Sequence, residues 1–141
     1  MKAESNVRPE NKFEIENIID GKCEIVFYDN IQELEPTEEG ENRYSYDIYR
    51  FKTTYRDDLE KELNDDEDKY QEWLNLAKET EERETADAEI ARLQEELNNT
   101  DYKIIKCSEY QLASLPIPYD IAELHANRQR LRDRINELQG L

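Results

Sequence analysis

Glycine, proline and cysteine are all scarce in this chain, with three, four and two copies in 141 residues, and there is one histidine and one tryptophan. So few glycines exclude a flexible glycine-rich linker, a collagen-like repeat and most phosphate-cradling loops. The two cysteines, Cys23 and Cys107, stand too far apart in sequence for a metal-binding pair and make no disulfide framework. They fit a reducing compartment and read as small buried hydrophobes. No apolar run approaches the ~20 residues needed to span a bilayer. The opening stretch Met1–Asn6 lacks the apolar core of a signal peptide, so the chain is expected to be cytosolic when made. Basic residues are also in deficit: 19 lysines and arginines face 36 acids, for a net charge of −17. A nucleic-acid backbone or an anionic membrane would repel such a chain, so neither is an expected partner.

Enzyme chemistry has little to stand on. His125 lies between Leu124 and Ala126, with no glycine turn, cysteine or second histidine nearby, and a general base needs an orienting partner and a concave site. Asn64, Asp66 and Asp68 resemble the start of a calcium loop, but Lys69 stands where the turn glycine belongs and Asn75 where the bidentate glutamate belongs. That cluster reads as a solvated helix face or a local helix break. The expectation is a non-enzymatic protein with no catalytic residues, no cofactor and no metal.

What the chain does have is charge, at 39% of residues against 36% apolar, and the charge is segregated. Residues 1–56 hold 13 acids and 8 bases, residues 57–100 hold 17 acids and 5 bases, and residues 101–141 hold 6 of each. The pattern predicts an α+β protein in four segments. Residues 1–11 are polar and expected to be mobile. Residues 12–56 read as a small antiparallel meander. Phe13, Ile15 and Ile18-Ile19 lead to Asp20-Gly21, a two-residue hairpin turn. Cys23, Ile25 and Phe27 then alternate along a strand. A polar loop around Pro36 and Glu38–Glu41 precedes a third strand, Tyr44 to Tyr55. Period two puts Tyr44, Tyr46 and Ile48 on one face of it, and Tyr49, Phe51, Thr53 and Tyr55 on the other.

Residues 57–100 read as one long acidic helix or two in line. Asp57 with Glu60 suggests a capping box, and apolar residues recur at Leu59, Leu63, Tyr70, Trp73, Leu74 and Ala77. The stripe lapses over Lys78–Thr85 and resumes at Ala86, Ile90, Leu93 and Leu97. Asn98–Asp101 is rich in turn formers and is expected to end this helix. In residues 101–141 a short helix over Tyr102–Leu115 precedes the extended Leu115-Pro116-Ile117-Pro118. A last helix follows, capped by Asp120 with Glu123. Ile121, Leu124, Leu131, Ile135 and Leu138 form a short coiled-coil seam on it, with Arg128, Arg130, Arg132 and Arg134 at outer positions. The seam suits a helical hairpin within the chain or pairing with another copy.

Five patches of the sequence resemble one family. Tyr46-Asp47-Ile48-Tyr49, Thr53–Leu59 and Tyr70–Lys78, with Thr100–Lys103 and Arg128–Asn136 further on, are similar to small tail-associated and tail-fibre-assembly proteins of tailed bacteriophages and prophages of Gram-positive bacteria. The resemblance implies a tail or baseplate accessory protein, or a fibre assembly factor, whose partner is a larger tail or fibre protein. It would be found in the virion tail, or in the host cytoplasm during assembly. Tyrosine is enriched at protein interfaces. The expected contact residues are therefore Tyr44, Tyr46, Tyr49 and Phe51 on the strand, with Leu131, Ile135 and Leu138 on the seam. The strong acidity of residues 57–100 suits a second class of function, an acidic mimic of nucleic acid that occupies a host nucleic-acid-binding protein.

Overall fold

The computed structural model describes residues 1–141 as four strands followed by three helices: β1 (Lys2–Ser5), β2 (Phe13–Ile19), β3 (Lys22–Leu34), β4 (Arg43–Thr54), α1 (Leu59–Asp65), α2 (Glu67–Leu112) and α3 (Ile121–Gln139). The chain divides into two compact units, residues 1–82 and 83–141, and α2 contributes to both.

In the first unit, Asp20 and Gly21 take φ of 52° and 71°, the left-handed pair that a two-residue hairpin turn requires. Ile19 then pairs with Lys22, Ile15 with Ile25 and Phe13 with Phe27. The predicted polar loop closes on a turn in which Gly40 N–H donates to the Thr37 carbonyl. Strand β4 returns along β3, with Ile25 opposite Phe51 and Phe27 opposite Tyr49. All pairings are antiparallel, in the order β1-β4-β3-β2.

The N-terminal segment departs from the sequence reading. Lys2–Ser5 is a fourth strand, paired with Tyr44–Asp47 of β4, rather than part of a mobile tail. Its side chains are short or charged, so no hydrophobic period announces it. What holds it is the unpaired backbone edge of β4, which any extended segment can satisfy.

One face of the sheet packs on helices. Phe13, Cys23, Ile25 and Phe27 are buried with Leu59 and Leu63 of α1 and with Tyr70, Leu74 and Ala77 of α2. Burying a side chain of this size stabilises by ~1.5–3 kcal/mol, and β-branched and aromatic residues suit a pleated half-buried surface. Phe51 meets Trp73 edge to face at 5.6 Å, and Phe27 meets Tyr70 at 5.6 Å. Asp29 and Asp47 lie directly opposite each other on β3 and β4, a pairing that like charges disfavour. Lys78 of α2 answers it, with Nζ 2.6 Å from Asp29.

The acidic cluster breaks the helix. Asp66 leaves the helical region at φ −113° and ψ 97°, and its Oδ1 accepts from Lys69 N–H at 3.1 Å, capping α2. The capping box expected at Asp57 and Glu60 does not form: Asp58 precedes α1 and makes no side-chain cap bond.

In the second unit, α2 does not end at residue 100. It runs through Asn98-Asn99-Thr100-Asp101 to Leu112. The inward positions Ala86, Ile90, Leu93, Leu97, Thr100, Ile104 and Cys107 keep an unbroken alternation of four and three, and each is buried or half-buried. A continuous seam outweighs the weak local preference of asparagine and threonine for turns. Helix α3 folds back against it. Ile135 and Leu138 are buried with Ala86, Ile90 and Leu93, and Leu97 and Leu131 pack alongside. Asp120 caps α3 as expected, its Oδ1 accepting from Glu123 N–H at 3.1 Å.

Candidate interaction surfaces

The strand alternation separates the four expected contact residues of β4. Tyr49 and Phe51 share the covered face with Ile25 and Phe27, and both pack against the core. The ammonium of Lys78 sits 5.3 Å from the Tyr49 ring centre, and burial pushes the Tyr49 hydroxyl pKa up. Trp73 is likewise taken up by the core and by Lys69, 5.4 Å from its ring.

Tyr44 and Tyr46 lie on the opposite face, where no helix covers the sheet. Each is half-buried. Tyr46 meets Tyr28 of β3 edge to face at 5.7 Å, and Tyr28 donates from its hydroxyl to Glu14 Oε2 at 3.0 Å. Burial and that acceptor together raise the Tyr28 pKa to about 12. Beside the rings, Arg50 bridges Glu24 at 3.0 Å and Glu16 at 3.6 Å. Val26 is 1% exposed in the middle of this face. The rings and the charged ladder therefore already shield its aliphatic centre, leaving a surface of ring edges, hydroxyls and paired charges.

The backbone edges differ. β2, the outer strand on one side, carries Glu14 and Glu16 and is broken by a register shift between Glu16 and Ile19, where Asn17 takes φ 51°. A bulge of this kind blunts an edge. On the other side β1 pairs only along Tyr44–Asp47, so Tyr49–Thr54 of β4 pairs with β3 alone. Ile48 N–H donates toward the β1 side, to the Met1 carbonyl at 2.7 Å. By strand alternation the N–H groups of Arg50, Lys52 and Thr54 point the same way.

The seam residues Leu131, Ile135 and Leu138 are occupied within the chain, which realises the hairpin of the two arrangements the sequence left open. Arg128 is not an outer residue. It fills the seven-residue gap between Leu124 and Leu131, on the seam itself, with its side chain 11% exposed. It donates to the Leu97 carbonyl at 2.8 Å, to Thr100 Oγ1 and to Asp101 Oδ1 at 2.7 Å. The gap was the signal that could have found it. Arg134 grips Glu89 through two nitrogens, at 3.0 and 3.2 Å, which lowers the Glu89 pKa.

The remaining candidates carry no assembled chemistry. His125 is exposed on α3. Cys23 lines a shallow depression of about 590 Å³ with Asn17, Lys22, Glu24 and Lys52, but burial raises its thiol pKa, the wrong direction for a nucleophile. No group of three or more histidine, cysteine or acidic side chains is placed to hold a metal ion, and no helix is long and apolar enough to cross a membrane. Comparison with protein-family models, with curated proteins and with solved structures finds no match for this chain.

Proposed function

We propose that the protein is a non-enzymatic accessory part of a bacteriophage tail or baseplate, or a factor that assembles tail fibres, and that it docks on a larger tail component through its sheet. The observation that supports the docking is the β4 edge. Outward N–H groups at Arg50, Lys52 and Thr54 have no strand beside them, while β1 already shows how that edge accepts an extended segment. A partner strand laid there would continue the line of β1 and gain main-chain hydrogen bonds. Tyr44 and Tyr46, on the uncovered face of the same strand, would add aromatic contact area of the kind interfaces favour. The attribution to a phage tail rests on the resemblance carried by Tyr46–Tyr49, Thr53–Leu59, Tyr70–Lys78, Thr100–Lys103 and Arg128–Asn136.

Mass spectrometry of purified phage particles tests it. Peptides of this chain in fixed ratio to a tail protein support a structural role. Absence from particles with co-purification on a fibre protein supports an assembly role, and absence of both sinks the proposal. Lys52→Pro removes an outward N–H without removing a bond to β3, so it is expected to weaken docking while leaving the sheet intact. Docking that collapses with added salt and is displaced by nucleic acid would instead favour the acidic mimic, because a charge-borne contact is screened and a strand-addition contact is not.

A further inference from the structure

The open stretch of the β4 edge is basic in an acidic chain. Ile48–Arg56 holds Arg50, Lys52 and Arg56 and no acid, although acids outnumber bases 36 to 19 overall. On the uncovered face Lys52 stands opposite Glu24 of β3, but that carboxylate is turned to Arg50 at 3.0 Å and to Asn17 Nδ2 at 3.3 Å. Of the basic residues in β4, Arg43 pairs with Glu4, Arg50 with Glu24 and Glu16, and Lys52 with none. On the helix-covered face Phe51 and Trp73 meet edge to face, and each is half-buried. Leu76, three residues beyond Trp73 on the same flank of α2, is 39% exposed. No strand lies outside this part of β4 to cover them.

We infer that the segment docking on this edge is an extended strand of another protein in which acidic and apolar residues alternate. Its acids lie beside Arg50 and Lys52, and its apolar side chains lie beside Phe51. The inference rests on the reading of the β4 edge as a docking line and not on the attribution to a phage tail. Neighbouring side chains of an added strand point to opposite faces, so one segment meets both chemistries at once. β2, at the far edge of the sheet, is already built this way. Phe13 and Ile15 go to the covered face and pack in the core. On the other face Glu14 accepts from the Tyr28 hydroxyl at 3.0 Å, and Glu16 lies 3.6 Å from Arg50. On the β4 edge itself, β1 likewise brings an acid, Glu4, to Arg43 at 3.1 Å. An acid beside Lys52 would complete a cross-strand ladder in which Glu24, Lys52 and the partner alternate in sign. A second copy fits poorly. Two β4 edges joined antiparallel about Phe51 would set Arg50 of each against Lys52 of the other, a pairing that like charges disfavour. Lysine on an edge strand guards against such self-pairing, and here it leaves the site to a strand of opposite sign.

Fluorescence anisotropy of two labelled short peptides titrated with the full chain tests the inference. One peptide alternates glutamate with isoleucine and the other lysine with isoleucine, both N-methylated along one edge so that they cannot pair with themselves. The glutamate peptide is expected to bind about tenfold more tightly, since opposite-charge contacts at Arg50 and Lys52 replace like-charge ones. Lys52→Glu should abolish that preference, and Leu76→Ser should weaken both peptides by about threefold through lost apolar contact. Both positions are exposed, so far-UV circular dichroism should be unaltered. Lys52→Pro should remove the binding of both. Equal affinity for the two peptides overturns the inference while leaving strand addition at the edge standing. Binding of neither peptide overturns both, as does binding that survives Lys52→Pro. A dimer in sedimentation equilibrium that Lys52→Pro dissolves would give the edge to a second copy and overturn the inference as well.

Discussion

Residues 1–82 bury a surface against a surface, whereas residues 83–141 bury a line against a line. In the first unit nine buried residues from two strands and two helices form one cluster, with Ile15, Tyr49, Phe51, Tyr55 and Trp73 around it. In the second, five buried residues on two helices form a single row, closed by the Arg128 clasp and the Arg134–Glu89 pair. A sheet face offers neighbours in two directions, so each side chain is shielded from several sides. A seam shields only along its length, which is why polar clasps are needed at its flanks and why apolar residues beyond its width stay exposed.

The largest expected effect falls on the first unit. Phe27 is fully buried, and Phe27→Ala should cost about 3–5 kcal/mol by loss of transfer energy and the cavity left behind. Trp73 is the sole tryptophan and belongs to this unit, so the midpoint of its fluorescence in a urea titration reads the loss. An unshifted midpoint would break the contrast between the two cores. In the second unit, Arg128→Ala strips the Leu97 carbonyl, Thr100 and Asp101 of a charged donor and is expected to cost about 1–3 kcal/mol. Arg128→Lys should recover little, because an ammonium lacks the planar fork that reaches several acceptors at once. Helicity followed by thermal circular dichroism checks both variants. Asp120→Ala removes the cap of α3 and should cost about 1 kcal/mol in the same assay.

Tyr70→Phe is expected to change least at neutral pH, and its effect lies in the alkaline slope. Burial lifts the Tyr70 pKa from 10.0 to about 12. A raised folded-state value means stability that is complete below pH 10 and is lost as the pH climbs toward 12. Lys78, raised chiefly by its hydrogen bond to Asp29, has the same sign. The first unit should therefore weaken between pH 10 and 12 by Trp73 fluorescence, and Tyr70→Phe should flatten that dependence. Glu89 in the second unit, lowered chiefly by its hydrogen bond to Arg134, has the opposite sign: its contribution is present above pH 4.5 and lost as the pH falls. Glu67 in the first unit, lowered by Gln71 and Lys12, shares that acid sensitivity. A wild type with no alkaline loss by Trp73 fluorescence would overturn this reading of Tyr70.

Much of the fold could be read in advance where a local rule acts alone. Asp20-Gly21 specifies its turn because few residue pairs tolerate two positive φ angles. Ile25 and Phe27 specify a strand face because period two leaves them no other. Asp120 specifies a helix start through a single side-chain acceptor. The reading failed where a distant partner overrides local preference. Asn98–Asp101 would favour a turn in isolation, yet it stays helical because Leu97, Thr100 and Ile104 continue a seam that α3 covers. Lys2–Ser5 shows no strand pattern, and only the bare edge of β4 makes it one. Of the expected contact residues, Tyr44 and Tyr46 lie on the uncovered face, while Tyr49, Phe51, Leu131, Ile135 and Leu138 belong to the two cores.

The order of residues alone determined the α+β class, the hairpin turn, the acidic middle of the chain and its narrow apolar stripes, since each follows from local geometry or from counting charge. Tertiary structure decided which stripe is covered and which is left open, which tyrosines meet solvent, and that Arg128 belongs on a seam. Those outcomes depend on which surfaces meet, and a side chain's burial is a property of its neighbours in space.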